Sequence, residues 1–159
     1  MAEQPTAQDA RAVNARMVEG LLADPPSPLA QGGYALRVLE TRGRRTGDLR
    51  RTPLGVVEVA GQRYLVSPNV RRDWVLNLCA QPECALLAGD ERERRRAVRV
   101  DGADAVAAVR TYLAALQIPW ALQAFPVSAD APQEDVAAHM DEMAVFRLDS
   151  PEPGGRGED

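Results

Sequence analysis

Apolar residues along this chain recur at two different periods, and the switches between them mark out its elements. In "TAQDARAVNARMVEGLL", residues 6–22, Val13, Met17 and Leu21 fall four apart, which predicts an amphipathic helix with those three on one face; Thr6, three residues before Asp9, fits a capping box. The "ADPPSPLAQGG" that follows reads as a proline and glycine connector. From Tyr34 the period drops to two. "YALRVLET" is one predicted strand, and "TPLGVVEVAGQRYLVS" is two more folded at the Ala60-Gly61 turn. "RRDWVLNLCAQ" returns to helical spacing, with Trp74 and Leu78 four apart and Asp73 available near the start as a cap. "ECALLAG" and "RRAVRV" predict a hairpin across Gly89-Asp90. "GADAVAAVRTYLAAL" predicts a helix with Val106, Val109, Leu113 and Leu116 at core spacing. A loop holding Pro119, Trp120, Phe125 and Pro126 then leads to a last strand, "MAVFRL".

Six short antiparallel strands with few helices must close or pack on themselves to bury an apolar face, so the order of elements predicts a small, barrel-like α+β domain. The expected partition is an N-terminal helix and proline-rich connector over 1–29, the barrel over 30–149, and a disordered tail over 150–159, "SPEPGGRGED". Arg92, Arg94 and Arg96 alternate and so share a face, which reads as the charged dressing of an exposed edge strand.

Charge changes this picture at one place. The chain is acidic overall, with a net charge of −4, yet "TRGRRTGDLRRTPLG", residues 41–55, gathers Arg42, Arg44, Arg45, Arg50 and Arg51 around two glycines. Either this is a hairpin with a solvated surface or it is a cradle for an anion. All 19 basic residues are arginine, so no lysine is present to form a Schiff base, act as a general base or complete a phosphate loop. His139 is the single histidine, which excludes a multi-histidine metal site within one chain, and its context reads as plain surface or packing. Cys79 and Cys84 are too few and too poorly spaced for zinc and suit reduced, partly buried positions. No apolar run approaches the roughly 20 residues of a membrane helix, and "MAEQPTAQDARAV" has no signal pattern, so no membrane span and a cytoplasmic location are expected. A pI near 5.1, few aromatics and no recognised module argue against nucleic acid as a partner. The chain offers no clear catalytic acid, base or nucleophile, and catalytic residues stay unassigned.

One resemblance ties the remaining motifs together. "GRRTGDLRRTPL", then "YLVSPN", "DWVLNL" and "AVRV", over roughly residues 30–149, resemble the deazaflavin (F420)-dependent nitroreductase family, flavin-reductase-like proteins built on a split β-barrel. The resemblance implies that Arg44, Arg45 and Arg50, with Thr46 and the amides beside Gly47, grip the phosphodiester and polyglutamate end of coenzyme F420. A guanidinium fork suits such oxygens. It also implies that Thr52, Pro53, Leu54, Ser67 and Pro68 line the deazaflavin ring and that Trp74 caps the pocket. Alternation along the strand leaves Arg42 and Arg51 pointing outward. The chain departs from the pattern where Gly55 and Val56 follow Leu54 in place of an aromatic, and where Tyr112 is the only late tyrosine. Trp120 and Phe125 are candidates to roof the substrate.

The function implied is F420-dependent hydride transfer to a small, flat electrophile, a quinone, an enone or a polycyclic secondary metabolite. The coenzyme carries the redox chemistry, with a proton from solvent, Tyr34 or Tyr64. Three readings stay open beside it: the same barrel holding FMN, the same barrel holding haem, or a cofactor-free protein that binds or cyclises a hydrophobic biosynthetic intermediate. Pairing of two chains as a homodimer is also left open.

Overall fold

A computed structural model describes residues 7–29, 33–116 and 119–151. Six antiparallel strands close into a barrel: β1 (Tyr34–Arg42), β2 (Leu49–Val59), β3 (Gln62–Ser67), β4 (Glu83–Ala88), β5 (Glu91–Val100) and β6 (Ala144–Asp149). Round the barrel they run β1, β2, β3, β6, β5, β4 and back to β1. The helices are α1 (Ala7–Ala23), α2 (Asp73–Ala80), α3 (Ala103–Ala115), α4 (Pro119–Leu122) and α5 (Gln133–Ala138), with a 3-10 turn at Met140–Glu142. The fold is therefore α+β, a split β-barrel. Ala60 and Gly61 both take positive φ, 53° and 79°, as a two-residue hairpin between β2 and β3 requires.

Alternation sorts the strand residues onto two faces. Leu39, Val56, Leu65, Leu86, Phe146 and Leu148 fill the barrel, and Trp74, Val75 and Leu78 of α2 pack on that cluster. On the outer face Val57, Tyr64, Val66 and Val145 are covered by Val106, Val109 and Leu113 of α3. A smaller outer cluster, Val38, Ala85 and Leu87, receives Val18, Leu21 and Leu22 of α1.

Four expectations change. The helix expected over 6–22 forms, but its packed face is Val18, Leu21 and Leu22; Val13 and Met17 stay 45% and 39% exposed. The reason is that α1 crosses a cleft with its first half and meets the barrel only with its second. The edge expected on β5 is only half a strand long: residues 91–95 pair with β4 alone among the described residues and 97–100 with β6 alone, so Arg92 and Arg94 lie on an open edge while Arg96 is paired on both sides. Asp73 is the first residue of α2 and makes no cap bond; Arg72 stands at the cap position. The loop before β6 contains α4 and α5, each too short to declare a helical period. Thr6, residues 152–159 and the side chain of Trp120 lie outside the described residues. No helix among the described residues is long and apolar enough to cross a membrane.

Candidate functional site

The split is made by β2. Its residues Val56–Val59 pair with β3, but Leu49–Gly55 pair only with β1 among the described residues, so half of one strand edge is open. Pro53 sits in that half, where a residue without an N–H costs the ladder least.

The loop between β1 and β2 is held in shape by its own backbone. The Gly43 N–H donates to the Asp48 carbonyl at 2.7 Å, and the Gly47 N–H donates to the Gly43 carbonyl at 2.8 Å. Gly47 has φ 79°, a conformation that favours glycine, and Thr46 Oγ1 accepts the Asp48 N–H at 3.2 Å. Helix α2 then fixes the loop from outside. The Arg44 backbone N–H and its Nη1 both donate to Asn77 Oδ1, at 3.1 and 2.8 Å, and Nη2 reaches Asp73 Oδ1 at 3.2 Å. Asn77 is only 4% exposed, so its amide oxygen would be stranded without these donors.

Two cleft halves meet along the open strand. The first, about 510 Å³, is lined by Arg11, Arg44, Arg45, Arg50 and Arg51 with Asn77. The second, about 490 Å³, is lined by Pro53, Leu54, Pro68, Tyr34, Tyr112 and Phe125, with Met17 and Asn14 of α1 along its rim. Thr52, Asp73 and Trp74 belong to both halves. Trp74 is 6% exposed and rests on Phe146 with ring centroids 6.0 Å apart, so it serves the core with one side and the cleft with the other.

The arginines divide by partner. Arg45 and Arg50 make no hydrogen bond or ion pair among the described residues, although both line the first half. Arg44 is engaged by α2 as above. Arg51 pairs with Glu40 at 3.1 Å, and Arg42 donates to the Gly47 carbonyl at 3.1 Å. Of the other predicted residues, Thr46 and Gly47 form the turn and are not among the lining residues. Ser67 is fully buried, its Oγ donating to the Asn69 carbonyl at 2.7 Å and accepting the Asn69 N–H at 3.2 Å. Tyr64 is buried on the outer face, 4% exposed, and takes no part in the cleft.

Sequence reasoning missed Glu40, Asn77 and a particular fit of Tyr34. Glu40 is 3% exposed and holds Arg51 and Arg92 on its two carboxylate oxygens. Burial alone would raise its pKa, but the hydrogen bonds and charges of Arg92 and Arg51 outweigh that and hold it below the usual carboxylate range. Tyr34 lies across Gly55. A Cβ at Gly55 would sit 2.2 Å from the Tyr34 ring, so the glycine leaves the space that this ring occupies. Tyr34 meets Tyr112 edge-on with ring centroids 5.5 Å apart, and Tyr112 meets Phe125 at 5.7 Å. Burial raises the pKa of Tyr34 and raises that of Tyr112 further, so both hydroxyls are protonated at neutral pH.

The sequence profile of the F420H(2)-dependent quinone reductase family matches residues 15–120. The chain belongs to this family. Membership makes it an F420-dependent oxidoreductase. Residues 15–120 contain the arginine loop, the open half of β2, α2 and Tyr34. Among solved structures, one described as a domain-swapped dimer is similar at 19% identity and TM-score 0.53, covering 89% of this chain and 94% of that one. The Agrobacterium tumefaciens protein Atu2129, of unknown function, is similar at 14% identity and TM-score 0.51, covering 96% and 58%. An F420-H2 dependent reductase, FDR-A, aligns at 19% identity and TM-score 0.48, covering 77% and 99%. These likenesses concern the fold. No curated protein matches the sequence.

Proposed function

We propose that this member of the family reduces a flat quinone- or enone-like compound in the two-part cleft, with the coenzyme's anionic end among the arginines and its ring against the open half of β2. The observation that carries the reading is the join of a basic half to an aromatic half at Thr52, Asp73 and Trp74, which matches a ligand acidic at one end and flat at the other. Of the five arginines of the loop, Arg45 and Arg50 are the two without a protein partner among the described residues, and an acidic ligand supplies what they lack. Arg44 shapes the loop through Asn77 and contributes its charge.

When bound, the reduced coenzyme supplies the hydride. The chain itself binds, orients and excludes water. Thr52, Pro53 and Leu54 present backbone and small side chains to a flat face, and Trp74 closes one end. Ser67 braces the Pro68 turn through its two bonds to Asn69. Tyr34 presents a protonated O–H beside the apolar half and is the residue placed to hold a substrate oxygen. Arginine in the cleft serves FMN as well, so the test must separate the two. Haem would find no histidine there, since His139 is paired with Glu142 at 2.6 Å and is not a lining residue.

Fluorescence titration with coenzyme F420 tests the reading: saturable quenching is expected, with no comparable response to FMN, and an absence of saturation at micromolar protein overturns it. Two free cysteines fit a reducing, cytoplasmic setting. Association as a homodimer is part of the same proposal, and the swapped dimer of similar fold supports it.

A further inference from the structure

We propose that Arg72 makes the aromatic half of the cleft selective for flat substrates that carry a carboxylate or another ionised oxygen, held at the rim by its guanidinium while the ring lies among Tyr34, Tyr112 and Phe125. The inference deepens the proposed function and rests on it. Arg72 is exposed and lines the aromatic half, not the arginine-lined one. Among the described residues it is the one cation of that half, and its side chain makes no hydrogen bond or ion pair with any of them. Asp73 is the acid beside it, but Asp73 Oδ1 is taken by Arg44 Nη2 at 3.2 Å. Two guanidinium groups thus stand against one carboxylate, and the surplus is positive.

The side chain starts from a stiff base. Arg72 has φ −61° and ψ 144°, extended backbone just ahead of α2. Its N–H donates to the Asn69 carbonyl at 3.4 Å, the Arg71 N–H donates to Asn69 Oδ1 at 2.8 Å, and the Val70 N–H donates to the Glu142 carbonyl at 3.1 Å. With Ser67 holding Asn69 as well, the turn delivers the guanidinium to one stretch of rim. A solvated surface arginine needs no ligand, but this one acts on the cleft interior. Burial is what chiefly raises the pKa of Tyr112, and the Arg72 charge opposes that rise, so its field reaches the aromatic wall. Pro53, Leu54 and Phe125 offer an ionised oxygen nothing in return for its water, so an anionic substrate depends on a cation at the rim. The planar guanidinium fork suits a carboxylate, and the protonated tyrosines do not repel one. Tyr34 is left for the reacting oxygen.

The test measures binding of two probes of one shape, 1,4-naphthoquinone and 1,4-naphthoquinone-6-carboxylate, to wild type, R72A, R72K and R71A, each loaded with oxidised coenzyme F420. Wild type is expected to favour the carboxylate. R72A should lose about three- to tenfold of that preference, and R72K should regain part of it. R71A removes an equal charge from a residue that lines neither half, and should keep the preference. In turnover the R72A loss should fall on KM for the carboxylate rather than on kcat. No preference in wild type, an unchanged preference in R72A or an equal fall in R71A overturns the assignment, and so does wild type that binds the coenzyme and neither probe. Wild type that binds no coenzyme overturns the coenzyme reading instead.

Discussion

At the scale of single residues, the site separates side chains that shape it from side chains with no protein partner among the described residues. Arg45→Ala and Arg50→Ala remove groups with no protein partner, so each should leave stability within about 0.5 kcal/mol of wild type. Coenzyme affinity should fall about tenfold in either, as expected for a lost charge-assisted contact; melting temperature and titration on one preparation check the split. Arg44→Ala should do both kinds of damage, because Asn77 loses a buried partner worth about 1–3 kcal/mol. Tyr34→Phe keeps the ring over Gly55 and removes the O–H, so kcat should drop about tenfold or more while coenzyme affinity holds. Full kcat in the Tyr34→Phe variant would assign the proton to solvent. The arginine division was half legible in sequence. Alternation along β2 placed Arg51 on the outer face, but its partner Glu40 lies eleven residues away on another strand, a distance that no local pattern reports.

At the scale of elements, β1 and β2 are matched through Gly55 and Tyr34. Gly55→Ala pushes a methyl group into the ring and should destabilise by about 1–3 kcal/mol. Combined with Tyr34→Ala the penalty should largely vanish, because the methyl then enters space already emptied; thermal melts of the four-member cycle measure that coupling. Helix α1 shows why periodicity alone misassigned a face. Val13, Met17 and Leu21 are spaced for a helix, yet a helix that spans a cleft buries only its second half, so Met17 borders a pocket where a core contact was expected. Strand boundaries were easier. The Ala60-Gly61 and Gly89-Asp90 turns have strong local chemistry, whereas α4 and α5 depend on packing against the barrel and were read as loop.

At the scale of the whole molecule, carboxylates held by arginine set the response to acid. Glu40 is held low against its burial by Arg92 and Arg51, Glu93 against its burial by Arg95 and Arg63, and Asp149 chiefly by its hydrogen bonds from Arg147. A carboxyl with a depressed folded pKa contributes stability that is present above its unfolded value, about 4, and is lost as pH falls through the folded one. Melting temperature should thus stay level from neutral pH to about 5 and decline below about 4. Glu40→Gln should start lower and decline less steeply. The barrel class was legible because six alternating segments with few helices have few ways to bury a face; its closure was not, because the β1–β4 and β5–β6 pairings join segments far apart in sequence.

Among the described residues, half of β2 has a neighbour on one side only, and a sheet tolerates such an edge poorly. On the proposed placement, a flat ligand along Leu49–Gly55 would cover that edge as a neighbouring strand does, and the coenzyme would double as a structural member: amides of this segment should then exchange slowly with deuterium only in the loaded protein, and the empty protein should be the form that sticks to its own kind.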